Sequence, residues 1–140
     1  MVQALDNARL EYAVVGGLAV AIWGAPRATT HIDLLVSPAD IDAISGIARS
    51  LGFLVEALPM RFADGVELRR FSRIESEYLL TLDLLLLSPN LQEAWESRQR
   101  ILTEAGPVTV VSRDALIRMK ALAGRPQDLA DIARLTELDR

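Results

Sequence analysis

Apolar residues fall into two rhythms along this chain. Short, nearly continuous apolar runs end at glycine, proline or turn clusters, and between them apolar residues recur every three to four positions. Residues 12–15 (Y-A-V-V) read as a short buried strand stopped by Gly16-Gly17. Residues 18–23 are helical and end at Gly24 and Pro26. Residues 32–36 (I-D-L-L-V) form a second strand, apolar on both faces. Ser37-Pro38 then opens a helix, with serine as the cap and proline in the first helical position. Its apolar residues Ile41, Ile44, Ile47, Ala48 and Leu51 keep helical spacing, and Gly52 ends it.

The second half repeats the alternation. Residues 53–58 and 66–71 are expected to pair as antiparallel strands around Ala63-Asp64-Gly65. Residues 78–87 make a strong strand, 91–99 a helix and 108–111 a short strand. Ser112 caps a helix reaching Ala123, Gly124-Arg125-Pro126 breaks it, and a last helix covers 126–138. A further helix is expected over the first ten residues. Alternating strands and helices with some tight turns predict an α/β (α+β) fold, a mixed β-sheet flanked by helices with a C-terminal helical pair. Its 140 residues fit one domain spanning 1–140.

Composition removes several chemistries. The chain has no cysteine, which excludes disulfides, thiolate metal sites and cysteine nucleophiles. No apolar run approaches the roughly 18 residues a membrane span needs. Asp6 interrupts the start, where a signal peptide would carry an apolar core. A cytoplasmic protein without a membrane partner is the expectation. A net charge of −4 argues against binding nucleic acid by bulk electrostatics. Arg61, Arg69, Arg70 and Arg73 lie close enough in sequence to form a local basic patch for RNA.

The candidate chemistry begins at the glycine pair. A helix start offers unpaired N–H groups and a partial positive charge, and glycine lets a phosphate approach the backbone. The alternative is a tight strand-to-helix turn with no ligand. His31 and Asp33, two apart on a strand, project to one face. Asp83 sits in T-L-D-L-L-L-L, with Thr81 on its own face. A carboxylate inside an apolar strand is costly unless it is paired, hydrogen-bonded or bound to a metal. Each Asp taken alone also fits a strand end bonded to backbone or an arginine.

Together these residues resemble the nucleotidyltransferase superfamily, the fold of DNA polymerase β, and within it the small bacterial proteins related to AbiEii-type toxins. The family pattern is a hydrophobic residue with Gly-Gly or Gly-Ser, a gap of a dozen or so residues, then Asp-hydrophobic-Asp/Glu. A third carboxylate comes from a later strand. Val15-Gly16-Gly17 matches the first element, and the segment from Arg27 to Leu34 matches the second except at His31. Asp83 is the natural third carboxylate. The run L-I-R-M-K-A-L-A-G-R-P-Q-D-L-A-D-I resembles the family's C-terminal pattern through Lys120, Arg125, Asp128 and Asp131. The likeness spans residues 12–135.

The resemblance implies transfer of NMP from a nucleoside triphosphate to an acceptor hydroxyl on RNA, a protein or a small molecule. Two Mg²⁺ or Mn²⁺ ions assist, neutralising charge and aligning the attacking and leaving oxygens. It further implies that Gly16, Gly17, Arg27, Lys120 and Arg125 contact the nucleotide. Asp33 would bind metal. Asp83 would bind the second metal or activate the acceptor. Lys120 could instead be a solvated helix residue. Arg125, Asp128 and Asp131 could form a salt-bridged helix start, the preferred reading for Asp131.

His31 stands where the family has an Asp that bridges both metals. A neutral imidazole is uncharged and offers one lone pair, so it cannot bridge. Imidazole also suits metals softer than Mg²⁺. The site is then degenerate, or works with one metal or with Mn²⁺, or uses His31 as a base toward the acceptor. His31 could also simply cap the strand and bond Asp33 or Asp83. A second function class follows: a catalytically silent binding protein or toxin–antitoxin component, with Trp23, Trp95 and Met60 as candidates for an exposed partner patch, although buried packing is the preferred reading for Trp23.

Overall fold

A computed structural model describes residues 1–25 and 29–137. The chain runs through α1 (Val2–Asn7), β1 (Ala13–Val15), α2 (Gly16–Ile22), β2 (His31–Val36) and α3 (Ile41–Ser50). It continues through β3 (Val55–Glu56), β4 (Met60–Arg61), β5 (Glu67–Glu75), β6 (Tyr78–Leu86) and α4 (Gln92–Glu96). β7 (Gln99–Thr103), β8 (Gly106–Val110), α5 (Arg113–Ala123) and α6 (Pro126–Glu137) complete it. Among the described residues the strands form one eight-stranded sheet in the order β3-β5-β6-β2-β1-β8-β7, with β4 also paired to β5. β2–β6 and β1–β8 are parallel and the other pairs antiparallel. This is the expected mixed sheet.

Local chemistry sets the element ends. Ser37 Oγ accepts from the Ala39 N–H and holds a single 3-10 turn, Pro38–Asp40, ahead of α3. Ser112 Oγ accepts from the Ala115 N–H and caps α5. Gly124, in the left-handed region at φ 64°, ends α5. The helices lie on both faces of the sheet. On one face α3 turns Ile44 and Ala48 inward, and Arg49 sits over the Phe71 ring of β5 at 6.0 Å. Because partners across strands share a face, Leu82, Leu84 and Leu34 belong to this layer with Phe71, and all four are buried. The other face carries α2, packed on β1 and β2, and α5, packed on α2 and α6.

Three expectations are corrected. The helix expected over 91–99 stops at Glu96, and Gln99 opens β7. Ser97 Oγ donates to the Ala94 carbonyl and Arg98 Nε to the Trp95 carbonyl, taking up the acceptors of the last turn. The strand expected over 53–58 shortens to β3, and β4 lies beyond it as a separate two-residue strand; both pair with β5. The partner patch of Trp23, Trp95 and Met60 does not form. Trp95 is buried under the Arg98 guanidinium, 3.8 Å from its ring centroid. Trp23 Nε1 donates to the Val111 carbonyl at 2.9 Å, and Met60 is half-buried. Among the described residues no helix is long and apolar enough to cross a membrane.

Candidate active site

The register of four strands builds the site. Val15 on β1 faces Asp33 on β2, Asp33 faces Asp83 on β6, and Asp83 faces Arg70 on β5. Residues matched across neighbouring strands project to the same side. One transverse row therefore lines up a strand end, two carboxylates and a guanidinium. His31 and Thr81 face each other one pleat away on the same side. A ring nitrogen of His31 and one oxygen from each of Asp33 and Asp83 lie within 4.8 Å of one another, close enough to hold one metal ion. The His31 backbone is fixed by Thr29, whose Oγ1 accepts the His31 N–H at 3.1 Å.

Environment separates the two carboxylates. Burial, then the neighbouring Asp83 charge, push the Asp33 carboxyl up to about 6, against smaller opposing effects of His31, Lys120 and Arg70. Asp83 is 5% exposed and accepts two hydrogen bonds from one fork: Arg70 Nε to Oδ1 at 2.7 Å and Nη2 to Oδ2 at 2.9 Å. The arginine partner considered for a lone strand Asp is thus present at Asp83, inside a cluster that also keeps metal-ligand geometry.

Gly16 follows Val15, so the register that pairs Val15 with Asp33 brings the turn against that carboxylate. Gly16 has φ +66°, and a methyl group there would sit 2.1 Å from Asp33 Oδ2. Glycine is required twice, for the left-handed backbone and for the space. Gly16→Ala is expected to cost at least about 1–2 kcal/mol from the backbone alone and to displace the Asp33 side chain. Chemical denaturation gives the first effect, and the NMR-observed titration of the Asp33 carboxyl gives the second. A variant with wild-type stability and an unmoved Asp33 titration would refute this account of the glycine.

The C-terminal helix pair closes the site. A cleft of about 220 Å³ is lined by Gly16, Gly17, His31 and Asp33 on one side and by Lys120, Arg125 and Asp128 on the other, with Thr29 and Gln127 at its edges. Lys120 is not a solvated helix residue. It is 5% exposed, with Nζ 3.2 Å from Asp128 Oδ1 and 2.9 Å from Asp131 Oδ2. Arg125 adds its Nε to Asp128 Oδ2 at 2.7 Å, and Gln127 Nε2 donates to Asp131 Oδ1 at 3.0 Å. Burial pushes the Asp128 carboxyl up, but the hydrogen bonds from Arg125 and Lys120 outweigh it and hold the group below the usual range. The salt-bridged helix start expected for Arg125, Asp128 and Asp131 is present, and it includes Lys120.

The cleft thus gathers Gly16, Gly17, His31, Asp33, Lys120 and Arg125, with Asp83 beside it in the metal-capable cluster. Arg27 lies outside the described residues. Arg70 takes a place in the site that its sequence neighbourhood did not suggest. The basic patch expected with Arg61, Arg69 and Arg73 is not a free cationic surface. Arg61 pairs with Glu67, and Arg73 pairs with Glu75 and stacks over Phe53. Arg70 faces the carboxylates, on the opposite side of β5 from Arg69.

No family model matches the chain, and no curated protein matches it significantly. Solved structures do. A protein from Thermotoga maritima, described as a candidate nucleotidyltransferase, superposes with TM-score 0.67 at 15% identity, over 99% of this chain and 89% of its own. The antibiotic-resistance factor ANT(2″)-Ia, solved in complex with adenylyl-2″-tobramycin, gives 0.63 at 18% identity over 97% and 84%. An antigenic nucleotidyltransferase-like protein from Paracoccidioides brasiliensis gives 0.59 at 19% identity over 98% and 72%. The chain has the fold of these nucleotidyltransferase-like proteins.

Proposed function

We propose that this protein transfers a nucleoside monophosphate from an NTP to an acceptor hydroxyl, in the cleft between the sheet and α5–α6. The observation that carries this reading is the row that sets Asp33 between the Gly16 turn and Asp83, with His31 one pleat away. Gly16 and Gly17 supply close backbone N–H groups to the phosphates. The cluster of His31, Asp33 and Asp83 gives the cleft its place for Mg²⁺ or Mn²⁺, which neutralises phosphate charge when bound. Lys120 and Arg125 contribute positive potential to the opposite wall, already shared with Asp128. One fold neighbour was solved with a nucleotidylated small molecule, which favours a small hydroxyl compound over RNA or a protein as acceptor. Within the fold, the AbiEii-type proteins are the group we place it beside, acting on cytoplasmic NTP.

Calorimetry with ATP and MnCl₂ tests the reading. Wild type is expected to bind, and Asp33→Ala to lose at least about tenfold in affinity, or 1.4 kcal/mol. Equal affinities would sink it.

A second reading is a catalytically silent partner-binding or toxin–antitoxin component. It is favoured by exposed apolar residues at the β3–β6 end of the sheet: Leu54, Leu58, Phe62, Ile74 and Leu79. Absence of nucleotide binding in wild type, with folding intact, would decide for it.

A further inference from the structure

We propose that the site takes a single divalent cation, on His31 and Asp33, and that the Arg70 guanidinium fixed on Asp83 stands where a second cation would otherwise be needed. The inference rests on the nucleotidyl-transfer reading and specifies its charge balance. Two observations reach it independently.

The first is at His31. A bridge between two ions needs a ligand with two donor atoms on one group aimed into the site, as a carboxylate has. One imidazole nitrogen has one lone pair, so His31 serves one ion. The pair of an imidazole and a carboxylate suits Mn²⁺ and the softer divalent metals better than Mg²⁺.

The second is at Asp83. Both of its oxygens already accept charge-assisted bonds from Arg70, at 2.7 and 2.9 Å. Any cation on Asp83 would sit beside a guanidinium that is always charged. The register makes this arrangement part of the sheet, since Arg70 and Asp83 are matched partners on β5 and β6. Charge counting agrees. Three carboxylates can balance most of the charge of two divalent ions. Here two carboxylates, an imidazole that carries no charge when it ligates a metal, and a guanidinium sum to a single negative charge, enough for one. Arg70 is 40% exposed along its side chain and has five N–H donors, of which Asp83 takes two. The rest are free of Asp83 and available to a phosphoryl oxygen, the other task of a second cation.

The test counts Mn²⁺ by calorimetry and electron paramagnetic resonance, with α,β-methylene-ATP present to block turnover. Wild type is expected to bind one ion, with a nitrogen hyperfine coupling that disappears in His31→Asp. His31→Asp alone is expected still to bind one, because Arg70 continues to exclude the second. The double variant His31→Asp/Arg70→Gln is expected to bind two. Arg70→Lys, which keeps the charge without the fork, should stay at one. If the double variant fails to fold, judged by circular dichroism, the His31→Asp count still decides. Two ions in wild type or in His31→Asp, with nucleotide bound, would overturn the inference and leave the transfer reading standing. Wild type that binds neither Mn²⁺ nor the nucleotide analogue would overturn both.

Discussion

Replacing Lys120 by methionine is expected to lower stability by about 3–5 kcal/mol, the usual effect of removing one partner from a buried ion pair. That is a large share of the roughly 5–15 kcal/mol that holds an ordinary domain together. Lys120 Nζ lies between Asp128 and Asp131, which are 1% and 0% exposed. Without the ammonium, Asp128 keeps Arg125, and both carboxylates lose a cation within 3.2 Å at a place that water hardly reaches. Methionine preserves most of the side-chain volume, so the effect reports charge rather than a cavity. The double variant Lys120→Met/Asp131→Asn should recover part of the loss, because Gln127 can still bond an amide there. Urea unfolding of both variants measures the coupling. The opposite outcome is clear-cut. If Lys120→Met keeps wild-type stability and loses only nucleotide affinity, the lysine is a phosphate ligand and its two bonds are incidental.

How much of this was legible beforehand depends on the kind of interaction. Local patterns carried well: the glycine turn after an apolar run, the i, i+2 pair His31/Asp33, and the Ser112 cap all depend on near neighbours in sequence. Asp83 was legible because a carboxylate in an apolar strand is expensive. The partner of Asp83 was not, since it follows from an antiparallel register set by a hairpin, and shifting one residue would have pointed Arg69 at it instead. Lys120 shows the same limit. Its sequence neighbours look like an ordinary amphipathic helix surface, and only the docking of α6 on α5 buries it. β7 was missed for another reason. It lies at the sheet edge, where polar Gln99 and Arg100 leave too little apolar alternation to compete with the preceding helix.

Asp33→Asn is expected to stabilise the protein at neutral and higher pH while abolishing its response to metal. The Asp33 carboxyl is held at about 6 against an ordinary 3.8, chiefly by burial and then by the Asp83 charge. Below 3.8 the proton is bound in both the folded and unfolded chain, and the raised pKa contributes its full stability. As pH rises through about 6 the folded state loses that proton, and with it this contribution. Two units at roughly 1.4 kcal/mol each make the ionised group a burden of about 2–3 kcal/mol above that point. Asparagine mimics the neutral carboxyl at every pH. The variant should therefore match wild type near pH 4, with the advantage growing through pH 6 and level by about pH 7.5. Added Mn²⁺ should reverse the order, raising the Tm of wild type and leaving Asp33→Asn unmoved, because only an ionised oxygen at this position attracts the cation strongly. Thermal unfolding across pH, with and without the ion, separates the outcomes. A flat pH profile for the difference would mean that Asp33 is solvated like an ordinary surface carboxyl. A stabilised variant together with metal-insensitive wild type would mean that its burial serves something other than a cation. A burden removable by one substitution, and relieved in the native chain by a bound ion, is what a charge kept for binding rather than for folding should show.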